Sequence, residues 1–241
     1  MSSELRRRAA ECAVCYIENG MVVGLGTGTT AAFAIQRIGQ LLRRGRLQDI
    51  RGIPTSRVAE ALAREQGIPL TTLDEHPSVD ITIDGADEVD PQLRLIKGGG
   101  GALLREKIVA WASRCEIIVV DEGKLVPRLG TRVPVPVEVV PFGWRVVERA
   151  LVGLGGRPSR RMVEDAPVFT DEGNILLDCW FPGIEDPGAL GQAIREIPGV
   201  VEHGLFVGLA HMVIVAGPDG LRLWRRGEAG SGEVREALDG Q

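Results

Sequence analysis

Residues 21–33 read Met-Val-Val-Gly-Leu-Gly-Thr-Gly-Thr-Thr-Ala-Ala-Phe, an apolar run that leads through a glycine and threonine loop into a helical pattern. The apolar run predicts a buried strand, and the alanine-rich segment after the loop predicts a helix. A strand, a glycine loop and a helix in this order form the first unit of an open parallel sheet, whose ligands bind beyond the carboxyl ends of the strands. We therefore expect an α/β fold with an open, mostly parallel Rossmann-like sheet and helices on both faces.

The loop at 24–30 differs from the fingerprint of dinucleotide-binding proteins. That fingerprint requires a glycine where Thr29 stands, and no acidic residue closes the next predicted strand at 50–53. Hydroxyl groups of Thr27, Thr29 and Thr30 instead surround a helix N-terminus, where one threonine would suffice as a cap. Backbone N–H groups and hydroxyls at such a position suit a phosphate monoester or sugar hydroxyls better than a pyrophosphate.

A later predicted strand ends in a cluster of acidic residues. The segment 79–90 reads Val-Asp-Ile-Thr-Ile-Asp-Gly-Ala-Asp-Glu-Val-Asp, so Asp84 and Asp87 follow the carboxyl end of a strand. Carboxylates there suit hydroxyl recognition, acid–base catalysis or metal binding, whereas an Asx turn would use Asp84 alone. We expect no metal, because no histidine joins the cluster and Lys97 follows closely.

The stretch from Leu95 to Ala110 combines a lysine, four glycines and a helical pattern that contains a glutamate. Lys97 precedes the glycines at 98–101, which allow positive φ and a close approach of backbone amides to a ligand. With the N-terminus of the following helix, they form a candidate anion or oxyanion site that has Glu106 beside it. The alternative is a flexible turn before a surface helix with a solvated Glu106, and the helical pattern alone allows both.

The remaining candidate functional residues are one further lysine and the cysteines. Lys124 follows the apolar strand predicted at 115–121, where it could meet a substrate anion or lie on ordinary surface. The pair Cys12 and Cys15 has the spacing of a redox or metal motif but no second pair or histidine partner. We interpret the four cysteines as buried free thiols in a reducing compartment.

Composition and charge restrict the class of protein. The 241 residues carry 28 Lys and Arg against 33 Asp and Glu, a net charge of −5, and 44% of them are apolar. A nucleic-acid surface needs clustered cations and disorder needs low hydrophobicity, so both are excluded. No signal-peptide core and no apolar run of about 20 residues is present, so we expect a soluble cytoplasmic protein without membrane partners.

The second half of the chain changes pattern after residue 134. A β-α-β-β-α-β order predicts a small ferredoxin-like α+β domain inserted at 132–204. Residues 1–131 and 205–241 would then form the Rossmann-like domain, to whose sheet a strand at 211–216 returns. The Gly-, Glu- and Ser-rich segment 227–241 is typical of a flexible tail.

Six motifs occur in a fixed order along the chain. They are GLGTGTTA at 24–31, IDGADEVD at 83–90, KGGGGALLREKIVA at 97–110, PVEVVP at 136–141, GNILLD at 173–178 and IPGVVEHGLF at 197–206. Together they resemble the family of ribose-5-phosphate isomerases of type A over nearly the whole chain. The resemblance implies a cofactor-independent aldose–ketose isomerase of the pentose phosphate pathway, a phosphosugar substrate, and a homodimer or dimer of dimers.

The resemblance also implies roles for individual residues. Glu106 falls on the family's proton-transferring carboxylate, Asp84 and Asp87 on acids near the sugar hydroxyls and ring oxygen, and Lys97 on a basic residue of the site. The implied substrate-binding residues are Thr27, Gly28, Thr29, Thr30, Asp84, Gly85, Ala86, Asp87, Lys97, Gly98, Gly99, Gly100 and Lys124.

Two other functions remain open at this point. A sugar-phosphate-sensing domain of the same fold would bind the ligand without converting it. A nucleotide-dependent oxidoreductase is disfavoured by Thr29 and by the missing acidic residue after the second strand.

Overall fold

The computed structural model describes residues 3–227 and 232–233, which form two compact units. Unit 1 comprises the described residues up to Gly85, together with Ile108–Gly123 and those from Leu209 onward. Unit 2 comprises Ala86–Lys107 and Lys124–Gly208.

The described residues contain six α-helices, and local signals mark where several of them begin. They are α1 (Ser3–Val14), α2 (Thr29–Arg43), α3 (Arg57–Glu65), α4 (Leu103–Ala112), α5 (Trp144–Gly153) and α6 (Pro187–Arg195). The Ser56 side chain caps α3 by accepting from the N–H of Ala59, and Asp186 caps α6 in the same way just before a proline.

Sixteen strands are described, and they build four sheets. The strands are β1 (Val22–Leu25), β2 (Arg51–Pro54), β3 (Val79–Asp84), β4 (Glu88–Val89), β5 (Leu95–Ile96), β6 (Ser113–Asp121), β7 (Val135–Val139), β8 (Arg157–Arg160), β9 (Met162–Val163), β10 (Ala166–Pro167), β11 (Ile175–Trp180), β12 (Val200–His203), β13 (Leu205–Phe206), β14 (Met212–Gly217), β15 (Gly220–Arg225) and β16 (Gly232–Glu233). The short pair β9–β10 forms a sheet of its own.

Unit 1 is built on a seven-stranded sheet in the order β16-β15-β14-β6-β3-β1-β2. The five strands from β14 to β2 are parallel, and β15 and β16 add an antiparallel edge. The strand predicted at 211–216 is β14, which joins this sheet beside β6. The α/β class with a mostly parallel sheet is therefore confirmed.

Helices cover both faces of this sheet. Gly24 of β1 explains how α4 can pack closely on one face. Val23 and Leu25 of β1 pack in the core formed with α1, α2 and α3. Gly24 points to the opposite face, because successive side chains of a strand alternate. A Cβ atom at Gly24 would lie 1.9 Å from Thr82 Oγ1 and 2.8 Å from Val109 Cγ1, so the glycine lets α4 approach the sheet.

One predicted strand is largely absent. The segment 67–72 forms only an isolated bridge between Leu70 and Gly52 of β2. The N–H of Gly52 donates to Pro69 O and the N–H of Thr71 donates to Gly52 O. Proline lacks an N–H group and cannot extend the ladder, which explains why a β-like composition yields only a bridge here.

Unit 2 contains a four-stranded antiparallel sheet in the order β12-β7-β11-β8, with helices α5 and α6 between its strands along the chain. Numbered within the sheet, this order is 4-1-3-2, which fits the predicted ferredoxin-like pattern. A second sheet of unit 2 has the order β13-β5-β4. The strand predicted to run from 200 to 206 is interrupted at Gly204, so that its halves β12 and β13 belong to different sheets.

The bounds of the predicted domains remain a prediction. The four-stranded sheet lies within 132–204, whereas unit 2 also takes in residues 86–107 and 124–131. In the predicted tail, residues 232–233 form β16 and pair with β15. Residues 228–231 and 234–241 lie outside the described residues.

All four cysteines are thiols, and two of them are less buried than predicted. Cys12 and Cys179 are buried, Cys115 is half-buried and Cys15 is exposed. Burial raises the pKa of Cys12 to about 11 and that of Cys179 to about 12. Cys15 directly follows α1, and its exposure and the partial exposure of Cys115 correct the expectation that every thiol is buried. No described helix is long and apolar enough to cross a membrane.

Glu138 of β7 is a carboxyl group buried inside unit 2. Its Oε1 accepts hydrogen bonds from Thr170 Oγ1 and Asn174 Nδ2, both at 2.9 Å. Its Oε2 is buried and has no hydrogen-bond partner among the described residues. Burial raises the pKa of Glu138, and the charges of Asp171 and Glu172 add to this effect against the two hydrogen bonds.

We expect Glu138→Gln to stabilise the protein at neutral pH but not in acid. A raised folded-state pKa contributes stability that is present below the ordinary pKa of a glutamate and is lost as pH rises through the folded-state value. Glutamine is neutral at every pH, so the variant does not bury a charge at pH 7. Its melting temperature there should rise by about 2–4 °C, which corresponds to about 1 kcal/mol in the free energy of unfolding for a chain of this size. Calorimetry at pH 4 and pH 7 measures the difference. Glu148→Gln, which removes only the surface pair with Arg145, serves as the control. A variant that is less stable than wild type at pH 7 would contradict the prediction.

Candidate active site

In unit 1, the structure brings the threonine loop and Asp84 together at the carboxyl ends of β1 and β3. Asp84 is buried, and its Oδ1 accepts hydrogen bonds from the N–H groups of Thr27 at 3.0 Å and Gly85 at 2.7 Å. A Cβ atom at Gly26 would lie 2.4 Å from this oxygen, so only glycine lets the loop pass so close. The loop and Asp84 therefore lie at the carboxyl ends of parallel strands, where the sequence pattern predicted them.

Thr27 is anchored inside unit 1 through its hydroxyl group. Its Oγ1 lies 2.7 Å from Thr55 Oγ1 and donates to Ser56 Oγ at 2.8 Å. Thr55 and Ser56 follow β2 and were not among the candidate residues predicted from the sequence. The rule that polar residues gather after parallel strands would have found them.

The other residues of the loop are more accessible. Gly28 precedes α2 with φ +104°, a conformation that favours glycine, and is exposed. Thr29 is exposed and Thr30 is half-buried. Thr27 therefore holds the loop in place, whereas Thr29 is an exposed residue at the N-terminus of α2.

In unit 2, Asp87 holds the glycine loop. The N–H of Gly99 donates to Asp87 Oδ2 at 2.7 Å, and a Cβ atom at Gly99 would lie 2.8 Å from Asp87 Oδ1. Gly98 and Gly101 have φ values of +101° and +85°, which explains the requirement for glycine at both. Gly99 and Gly100 between them are exposed.

Lys97 and Glu106 form a buried ion pair in unit 2. Only 2% of Lys97 and 5% of Glu106 is exposed, and Lys97 Nζ lies 3.4 Å from Glu106 Oε2. Glu106 lies in the first turn of α4. Because it is buried there, the alternative of a solvated glutamate on a surface helix is excluded. Lys97 follows β5, and its N–H donates to the carbonyl of Gly204 at 2.9 Å.

A second buried lysine, Lys107, contacts the same aromatic ring as Lys97. Lys97 Nζ is 5.6 Å and Lys107 Nζ is 4.8 Å from the ring centroid of Phe206. Lys107 Nζ also donates to Glu202 Oε1 at 2.8 Å and to the carbonyl of His203. This group was not predicted from the sequence, because its members belong to two motifs about a hundred residues apart and nothing in either motif indicates that they meet.

Burial is the largest cause of the pKa shifts of Lys107 and His203. It lowers the pKa of Lys107 to about 8, although Glu202 opposes the shift. Burial and the charge of Lys107 lower the pKa of His203 to about 3, so His203 is neutral at physiological pH. Its Nδ1 then accepts from the N–H of Leu205 at 3.2 Å.

The remaining predicted residues lie outside these contacts. Ala86 is half-buried beside Asp87, and Lys124 is half-buried at the end of a short 3₁₀ turn at Glu122–Lys124. No hydrogen bond or ion pair joins Lys124 to another predicted site residue among those described. The described residues also contain no group of three or more His, Cys, Asp or Glu side chains placed to hold a metal ion.

Comparison with known proteins identifies the family. Residues 51–220 match the family model of ribose 5-phosphate isomerase A (phosphoriboisomerase A). Ribose-5-phosphate isomerase A of Roseiflexus castenholzii is 56% identical over 217 residues, which cover 90% of this chain and 93% of that protein.

Solved structures agree with this match. A D-ribose-5-phosphate isomerase in complex with phospho-erythronic acid is 43% identical with a TM-score of 0.92, over 94% of this chain and 100% of that one. Ribose 5-phosphate isomerase A of Methanocaldococcus jannaschii is 44% identical with a TM-score of 0.88, over 92% of this chain and 98% of that one. The chain therefore belongs to the ribose 5-phosphate isomerase A family.

Proposed function

We propose that this chain interconverts D-ribose 5-phosphate and D-ribulose 5-phosphate through an enediolate, with Glu106 as the base that moves a proton between C2 and C1. The observation that supports this role most strongly is the buried pair of Lys97 and Glu106 at 3.4 Å beside the glycine loop. A carboxylate suits proton transfer next to a carbonyl, and an ammonium group suits the negative charge that then develops on oxygen.

In this mechanism, Glu106 takes the proton from C2 of the open-chain aldose and returns it to C1. Lys97 and the amides of the glycine loop stabilise the enediolate oxygens between the two steps. All the atoms of the substrate remain in the product, so the proton-transfer steps require no redox cofactor. Opening of the sugar ring needs a further acid–base group, and we assign it to Asp84 or Asp87.

The assignment of a phosphosugar substrate rests on the family and on a solved relative. That relative is in complex with phospho-erythronic acid, which carries a phosphate and a planar carboxylate. A planar carboxylate resembles an enediolate more than it resembles either sugar, and enzymes bind molecules that resemble the transition state tightly. We assign the residues of the threonine loop, including the exposed Thr29, to substrate binding.

We expect Glu106→Gln to lower kcat by about 10²–10⁴-fold, because a general base contributes about this much. Phospho-erythronic acid should still bind, since the side chain keeps its size. The measurement is ketose formation from ribose 5-phosphate in the presence of EDTA and without added nucleotide. Glu138→Gln, which alters another buried glutamate of unit 2, is the matched control and should keep wild-type turnover. Full activity of the Glu106 variant would remove this residue from the mechanism.

The same assay separates an enzyme from a sugar-phosphate sensor. A sensor would bind ribose 5-phosphate in calorimetry and form no ketose with wild-type protein. An oxidoreductase would require added nucleotide for any turnover.

We expect valine substitutions of two threonines in the loop to have different effects. Thr27→Val removes two hydrogen bonds of the partly buried hydroxyl, each contributing about 0.5–1.5 kcal/mol, and should lower the melting temperature. Thr29→Val removes an exposed hydroxyl and should leave the melting temperature unchanged while raising KM for the sugar phosphate. Calorimetry and steady-state kinetics on both variants test this. Equal loss of stability in the two variants would contradict the distinction.

We also propose that the chain works in the cytoplasm as a homodimer or dimer of dimers, as the family resemblance implies. Exposed apolar side chains of unit 2 support an interface, among them Phe142, which is fully exposed, and Val146. Light scattering should give two or four times the chain mass of 25.9 kDa. A mass equal to that of one chain would refute the proposal.

A further inference from the structure

Arg161 lies between β8 and β9 of unit 2 and reaches the glycine loop with its side chain. Its Nη1 donates to the carbonyl of Gly98 at 2.9 Å and to the carbonyl of Gly99 at 3.1 Å. None of the six sequence motifs contains this arginine, and neither Lys97 nor Glu106 touches it in any described contact.

Asp178 of β11 fixes the direction of this guanidinium group. Arg161 Nε donates to Asp178 Oδ2 at 2.8 Å and Nη2 donates to Asp178 Oδ1 at 2.5 Å. A two-point pair of this kind sets the plane of the guanidinium as well as its position. The side chains are only 17% and 20% exposed, so solvent screens their charges less than those of a surface pair.

The two carbonyl contacts determine where the loop amides point. In a trans peptide the C=O and N–H groups point in opposite directions, and the described chain has no cis peptide. The carbonyl of Gly98 shares its peptide with the N–H of Gly99, which donates to Asp87 at 2.7 Å. The carbonyl of Gly99 shares its peptide with the N–H of Gly100. Arg161 therefore holds both N–H groups away from itself.

The same contacts change the strength of these amides as donors. A cation at a carbonyl oxygen draws electron density through the peptide and makes its N–H group more positive, and linked hydrogen bonds strengthen one another in this way. The loop needs such support, because its glycines allow many backbone conformations.

We propose that Arg161, held by Asp178, is a positioning residue that keeps the Gly99 amide on Asp87 and thereby orients and polarises the next amide, that of Gly100, towards the oxyanion of the reaction. This inference rests on the proposed isomerase function. It adds a role for Asp178 of the four-stranded sheet and for Arg161 directly after β8, which act through the loop and do not touch the substrate.

The variants Arg161→Gln and Asp178→Asn test the proposal, with Glu172→Gln as the matched control. Glu172 pairs with Arg105 in the same unit, so its variant removes an arginine–carboxylate pair without a contact to the glycine loop. We expect both test variants to lower kcat by about tenfold or more, less than the loss of an oxyanion donor itself, with KM changed less than threefold. Arg161→Lys should recover only part of the rate, because lysine lacks the planar fork.

A second measurement does not depend on turnover. In NMR spectra of uniformly ¹⁵N-labelled protein, the amide proton resonances of Gly99 and Gly100 should move upfield in Arg161→Gln and stay in place in Glu172→Gln. Addition of guanidinium ions to Arg161→Ala should restore part of the rate and of the shift.

The outcomes separate this inference from the proposed function. If wild-type protein forms no ketose, the isomerase proposal fails, and the positioning role for that reaction fails with it. If wild type is active and Arg161→Gln has wild-type kcat and unmoved glycine amides, only the positioning role is refuted. A fall in melting temperature with unchanged kcat would show that Arg161 has a purely structural role.

Discussion

The burial of two opposite charges, Lys97 and Glu106, is the constraint on which unit 2 depends. An isolated charge inside a protein costs several kcal/mol, and removing one member of a buried pair leaves the other uncompensated. The Lys97 main chain is held against the segment that contains Gly204 and β13. β5 pairs with β13, and the Lys97 N–H is bonded to the carbonyl of Gly204. The ring of Phe206 then offers its electron-rich face to the ammonium group.

Glycine is used in both units for close approach as well as for flexibility. Gly26 lets a loop pass Asp84 in unit 1, and Gly99 lets another pass Asp87 in unit 2. At Gly204, a Cβ atom would lie 2.2 Å from the carbonyl oxygen of Lys97. At each of these three positions the backbone of one segment meets a candidate site residue, so the sequence has no freedom to place a side chain there.

The sequence predicted the parts of the fold and site that follow from local periodicity and from strand ends. The contact between Asp84 and the Thr27 loop follows from the rule for parallel strands, and the structure contains it. The burial of Glu106 could not be predicted, because a helical pattern does not reveal what covers each face. The groups around Lys107 and Arg161 were missed since they join residues 95 and 63 positions apart, respectively. The strand predicted at 67–72 did not form because Pro69 lacks an N–H donor, and the proline in the sequence was a sign against a full strand.

The Lys107 group couples folding of the chain to proton release. Burial lowers the pKa of this lysine from 10.5 to about 8, so between these pH values the unfolded chain holds a proton that the folded chain has lost. Stability from this group therefore increases as pH rises through that window, opposite to the trend for Glu138. With His203 neutral over the same range, the amine of Lys107 is the member of the group whose charge changes under mildly alkaline conditions. An alkaline shift then removes one positive charge beside Phe206 and makes the contribution of Lys107 to stability more favourable.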